Sequence, residues 1–86
     1  MRNLILYGPK NEIEQIRKIV EKYKNKFDIR NVRILYRNSP NFRGELYGYD
    51  AGIKETIYKP SEIPNLLETI DKMPMGSIEK RIRESS

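Results

Sequence analysis

The chain has 86 residues and a formal net charge of +5, and it contains neither cysteine nor histidine. That length suits one domain with a modest core. Without cysteine there are no disulfides, no thiolate catalysis and no zinc–thiolate site, and without histidine the commonest general base and metal ligand are missing.

No metal, no cofactor and no catalytic constellation are therefore expected, and the chain reads as a non-catalytic binding protein. No apolar run approaches roughly 18 residues, and Leu4 to Tyr7 is too short for a signal-peptide core. The expectation is a soluble cytoplasmic protein with no membrane partner. The charge is uneven: residues 1–30 carry a net +4, residues 31–50 a net +1 and residues 51–86 a net zero.

Leu4-Ile5-Leu6-Tyr7 lacks the alternation of a half-exposed strand and reads as a strand central in its sheet, apolar on both faces. Gly8-Pro9 breaks it. Asn11 suits a helix N-cap, with Glu14 at the spacing of a capping box. Ile13, Ile16, Val20, Tyr23 and Phe27 then recur at 3, 4, 3 and 4, one face of a helix broadened by Ile19. Glu12 and Glu14 in the first turn, with Lys24 and Lys26 in the last, suit the helix dipole.

Asp28 to Asn31 reads as a polar turn. Val32 to Arg37 is rich in strand formers, with Val32, Ile34 and Tyr36 on one face and Arg33, Leu35 and Arg37 on the other. Asn38-Ser39-Pro40-Asn41 is a loop. Arg43 to Tyr49 and Ile53 to Lys59 read as a hairpin turned at Asp50-Ala51-Gly52, with Gly44 and Gly48 hinting at a bulge or a close backbone approach. In the returning strand, Ile53, Glu55 and Ile57 share one face, and Lys54, Thr56 and Tyr58 the other.

Pro60 ends the hairpin. Ser61 suits an N-cap, Pro64 is tolerated in a first helical turn, and Ile63, Leu66, Leu67, Ile70 and Met73 keep helical spacing. Pro74 stops this helix. Residues 75–86 form a polar tail in which Ile78 and Ile82, four apart, suit a short amphipathic helix that either docks on a partner or a second copy, or frays. The expectation is one domain over residues 1–74, in the order β-α-β-β-β-α, with a four-stranded mixed sheet in a two-layer α/β fold.

This order of elements resembles the thioredoxin-like superfamily, the glutaredoxin-type proteins most of all. The strand–helix–strand start, a proline loop at Ser39-Pro40 where that family places its cis-proline, the hairpin and the closing helix correspond in order over most of residues 3–73. The family's redox cysteines would lie near Gly8-Pro9-Lys10-Asn11, where this chain has none, and the usual helix before the proline is absent. The resemblance implies a binding or scaffold module with no thiol–disulfide chemistry. A second resemblance is to RNA-recognition-motif domains, with Leu4 to Gly8 as one motif strand and Arg43 to Tyr49 as a degenerate version of the other. It implies base stacking on Tyr7, Tyr47 and Tyr49. Glu45 departs from it, as does the strand inserted before the second helix.

Gly8-Pro9-Lys10 reads as a tight turn and not a phosphate loop, because it has too few glycines. Asp28, Asp50 and Asp71 stand near element ends, where turn and capping roles suffice. The functional signal is cationic and aromatic. Arg33, Arg37 and Arg43 occur with Tyr47 and Tyr49 on adjacent expected strands; arginine binds phosphate and tyrosine stacks on bases. Lys18, Lys22 and Lys26, at i, i+4 and i+8, form a stripe able to track phosphates or to keep a small protein soluble. The tyrosines, equally, serve to complete a small core with their hydroxyls at its rim. The sequence thus points to a nucleic-acid-binding accessory protein with DNA or RNA as partner. The alternative is an interaction module that pairs with a protein partner or as a homodimer.

Overall fold

The computed structural model describes residues 1–85; Ser86, the last residue of the expected tail, lies outside the described residues. The elements are β1 (Arg2–Gly8), α1 (Lys10–Ile29), β2 (Val32–Asn38), β3 (Arg43–Tyr47), β4 (Ile53–Ile57), a 3₁₀ turn (Pro60–Glu62), α2 (Asn65–Lys72) and α3 (Pro74–Ser85). The fold is mixed α/β. Its four-stranded sheet has the order β2-β1-β3-β4, with β1 parallel to β2 and antiparallel to β3, and β3 antiparallel to β4.

β1 is central, yet it alternates. Arg2, Leu4, Leu6 and Gly8 are buried, whereas Asn3, Ile5 and Tyr7 are only half-buried. Its central place is as expected, and its apolar outer residues Ile5 and Tyr7 gain cover from neighbouring strands and not from a second layer of helices. The core lies on the inner side. Leu4, Leu6, Val32, Leu46 and Ile57 come from the sheet, Ile16, Val20 and Phe27 from α1, and Ile63, Leu66 and Ile70 from the closing segment.

α1 starts before the expected cap. Pro9 is its N-cap, with φ −62° and ψ 147° and no side-chain capping bond, and the Pro9 carbonyl accepts the N–H groups of Glu12 and Ile13. The fixed proline φ sets the entry angle directly after Gly8, so Asn11 falls inside the first turn and the Asn11/Glu14 capping box does not form. The helix runs on to Ile29, and Asn31 closes its end at φ 59°, a left-handed conformation that asparagine tolerates.

The hairpin is shorter than expected, and a register shift at Leu46/Tyr47 interrupts it. Glu55 and Ile57 keep the inner side, but Ile53 now pairs with Tyr47 on the outer side and is exposed. A one-residue irregularity inverts the face of everything beyond it. Gly44 is a close approach: a Cβ there would stand 2.6 Å from Ile57 Cγ1. Glu62 draws its carboxylate back to the N–H groups of Tyr58 and Lys59, which winds Pro60–Glu62 as a separate 3₁₀ turn. The closing helix therefore begins at Asn65 behind Pro64 and not at a Ser61 cap. Pro40 follows a trans peptide bond.

Pro74 stops α2 and starts α3. Met73, ahead of the proline, is extended at φ −68°, ψ 149°, as a residue before proline prefers. α3 sits so close to the end of α2 that a Cβ on Gly76 would overlap the Ile70 carbonyl oxygen. Two ionic contacts hold it. The first is Glu79 Oε1 to Arg2 Nη2 at 2.7 Å, and the second is Arg83 Nη2 to Asp71 Oδ1 at 3.2 Å. Arg2 is 1% exposed, and its Nη1 also donates to the Arg30 carbonyl at 2.7 Å and to the Tyr49 hydroxyl at 3.1 Å. Arg30 in turn donates from Nε and Nη2 to both oxygens of Asp71.

Burial raises the Asp71 and Glu79 carboxyl pKa values. The hydrogen bonds from Arg30 to Asp71 and from Arg2 and Tyr49 to Glu79, with the nearby positive charges, outweigh it, and both end below their ordinary values. Glu79→Ala leaves the Arg2 guanidinium buried with a partner missing. It is expected to lower the unfolding free energy by about 2–3 kcal/mol in urea denaturation. Because both native pKa values are depressed, the stabilisation is complete above about pH 5. It is lost as pH falls through the lowered native values, and the urea midpoint should fall there less steeply in Glu79→Ala than in the parent chain.

Candidate nucleic-acid interface

The sheet register places three rows of side chains on the outer face. Arg37, Tyr7 and Arg43 make one row; Leu35, Ile5, Glu45 and Thr56 the next; Arg33, Asn3, Tyr47 and Ile53 the third. Every strand residue in the core cluster has the opposite parity, so the helices cover the other side and leave these rows without a helical layer. Arg33, Arg37 and Arg43 are exposed, and Tyr7, Tyr47, Ile5, Leu35 and Glu45 are half-buried.

Contacts within the face fix part of it. The Arg43 guanidinium stands 4.6 Å from the Tyr7 ring centroid, a cation–π distance. Arg43 Nε lies 3.6 Å from Glu45 Oε2, and the Tyr47 hydroxyl donates to Glu45 Oε1 at 3.2 Å. Loss of hydration and the Glu45 carboxylate push the Tyr47 hydroxyl pKa up, so it remains a donor. Tyr7, Arg43, Glu45 and Tyr47 thus form a connected string along β1 and β3. Arg33 and Arg37 stand apart on edge strand β2, where Arg37 Nη1 donates only to the adjacent Tyr36 carbonyl among the hydrogen bonds of these two side chains.

Among the residues singled out from sequence, the structure brings Arg33, Arg37, Arg43 and Tyr47 onto one face, together with Tyr7. It takes Tyr49 elsewhere. Beyond the register shift, Tyr49 lies under the Arg2 guanidinium, 4.3 Å from ring centroid to the guanidinium carbon, and its hydroxyl joins Arg2, Asn31 and Glu79. Lys18, Lys22 and Lys26 are exposed on the solvent side of α1, in the helical layer, and do not converge with the arginines. Lys26 Nζ stands 5.7 Å from the Tyr23 ring.

Two features escape a reading of the sequence. Arg2 looks like a solvated terminal cation and is instead a buried junction. Arg17 lies 4.2 Å over the Tyr36 ring, closing part of an open groove of about 610 Å³ between α1 and β2 that Arg33 also borders. Helical phase alone would have put Arg17 beside the apolar stripe, but nothing local indicated which ring it meets. Among the described residues no three carboxylates gather as a metal-ligand set. Comparison with protein-family models, with curated proteins and with solved structures finds no match.

The two kinds of residue differ in what they support. Arg33→Ala with Arg37→Ala is expected to change the unfolding free energy by no more than about 0.5 kcal/mol, as exposed substitutions do. Tyr49→Phe, which strips the hydroxyl from Arg2 and Glu79, is expected to cost about 1–2 kcal/mol in the same urea titration.

Proposed function

We propose that this is a non-catalytic nucleic-acid-binding protein whose ligand, a single strand, lies across the outer face of the sheet. The observation that carries this reading is the convergence of exposed Arg33, Arg37 and Arg43 with the rings of Tyr7 and Tyr47 on three adjacent strands, on the face that no helix covers. Arginine guanidinium groups bind phosphate through a planar fork of donors, and tyrosine rings accept unstacked bases without regard to sequence. A single strand fits a sheet surface because its bases are free to turn toward it, whereas a duplex offers mainly phosphates and groove edges. The net charge of +5 adds a general attraction for polyanions. The lysine stripe, lying in the other layer, contributes to that attraction and not to the site.

The test is fluorescence anisotropy of a labelled single strand of about ten nucleotides, titrated over a range of salt. Each phosphate contact contributes about −0.7 to the log–log slope for single strands, so Arg33→Ala with Arg37→Ala should reduce its magnitude by about 1.4. Replacing Lys18, Lys22 and Lys26 with Ala should leave the slope nearly unchanged. Absence of binding at low salt overturns the proposal, and a slope that follows the lysines relocates the site to α1.

A second reading, an interaction or self-association module, has its own support. α3 turns Glu79 and Arg83 toward the body and leaves Met75, Ile78 and Ile82 exposed. The resemblance in element order to cysteine-less thioredoxin-like proteins points the same way. A mass that rises with concentration in light scattering, and that Ile78→Glu keeps monomeric, would favour this second reading.

A further inference from the structure

The outer face carries its charge unevenly: β2 has two arginines and no carboxylate, whereas on β3 Glu45 offsets Arg43. Arg33 and Arg37 lie on edge strand β2, while β3, two strands away, carries Glu45 between Arg43 and Tyr47. Neighbouring strands are about 4.8 Å apart, so the two rows are separated by about 10 Å. A carboxylate repels phosphate. On the reading that a single strand crosses this face, its phosphates therefore follow β2, and its bases turn toward β1 and β3. Glu45 then meets base edges and not backbone.

Glu45 is suited to that contact. Oε1 accepts one hydrogen bond, from Tyr47, and Oε2 stands 3.6 Å from Arg43 Nε, beyond hydrogen-bond length. A carboxylate offers about four lone-pair sites, so acceptor capacity remains. The side chain keeps 15% of its surface open to solvent. Tyr47 and Arg43 hold the group in place, and the Arg43 guanidinium over the Tyr7 ring gives a base a platform beside it.

The bases differ in what they present to such a group. Guanine carries two neighbouring donors on its Watson–Crick edge, N1–H and the exocyclic N2–H, spaced to meet the two oxygens of one carboxylate. Cytosine and adenine each set an acceptor ring nitrogen beside their amino group, and uracil flanks its single N–H with two carbonyls. Each of these would bring a lone pair against the second carboxylate oxygen. We propose that Glu45 makes the outer face selective for guanine, taking the N1–H and N2–H donors of one base stacked at Tyr7, Arg43 and Tyr47.

This inference rests on the nucleic-acid reading, and the experiment separates the two. A labelled uridine strand of about ten nucleotides is compared with the same strand carrying one central guanosine, and with one carrying inosine, which lacks N2. Guanosine is expected to tighten binding about ten-fold, as a bidentate base contact does, and inosine to return most of that gain. In Glu45→Gln the guanosine preference should vanish, while affinity for the plain uridine strand holds or rises as the negative charge is removed. The inosine arm leaves the protein unaltered, so a folding defect in the variant cannot imitate the result. Equal affinity for all three strands, or a guanosine preference that survives Glu45→Gln, overturns the role given to Glu45 and leaves the nucleic-acid reading standing. Binding to none of them overturns both.

Discussion

A guanidinium withdrawn from water must find acceptors and a counter-charge within the fold, and Arg2 finds them in segments far apart in the chain. Its donors reach the end of α1 through the Arg30 carbonyl, the β3–β4 turn through Tyr49, and α3 through Glu79. Its backbone N–H bonds the Asn31 carbonyl as well. An uncompensated charge in this position would cost several kcal/mol, so these partners are needed together. The position of α3 follows. The helix leaves its apolar side chains outside because its polar side is the one that satisfies Arg2 and Asp71. Among the described residues no buried side-chain polar atom lacks a partner, which is the condition such a junction requires.

The two layers divide their tasks along the same line. Helices and inner strand residues make a one-sided core from Leu4, Leu6, Leu46, Phe27 and Ile70, with stability drawn from burial. The outer face contributes little burial and is free to carry charge. On edge strand β2, Arg33 and Arg37 have a second effect: a copy of the strand pairing antiparallel about Leu35 would set Arg33 of one chain opposite Arg37 of the other. Charges of one sign directly opposed disfavour such pairing and blunt the open edge. The arginines that would hold a ligand's phosphates are thus compatible with a face that does not seal itself against a second sheet.

Much of this was legible from residue order, and the parts that were not share a cause. Periodicity located α1 and the faces of β2, because hydrophobic spacing is a local property. It failed where contact is made at long range. Arg2 carries no local mark of burial, since an arginine at a strand start looks the same whether its partners lie in water or in α3. Tyr47 and Tyr49 are two residues apart and read as equivalent, but the shift at Leu46/Tyr47 and the turn beyond it send one to the outer face and the other beneath Arg2. The lysine stripe was correctly placed on one side of α1. Only tertiary packing shows that this side lies in the other layer from the arginines.

The Arg2–Glu79 bond spans 77 residues of chain, between the first residue of β1 and the last helix. Contacts of such separation form late, because the intervening loop must be closed before they contribute. β1 can pair with β2 and β3 without α3, yet its first side chain meets its anion only in that last helix. The sheet's strand pairings close shorter loops than this contact does, so the pairing of residue 2 with residue 79 is the contact that joins the two ends of the fold.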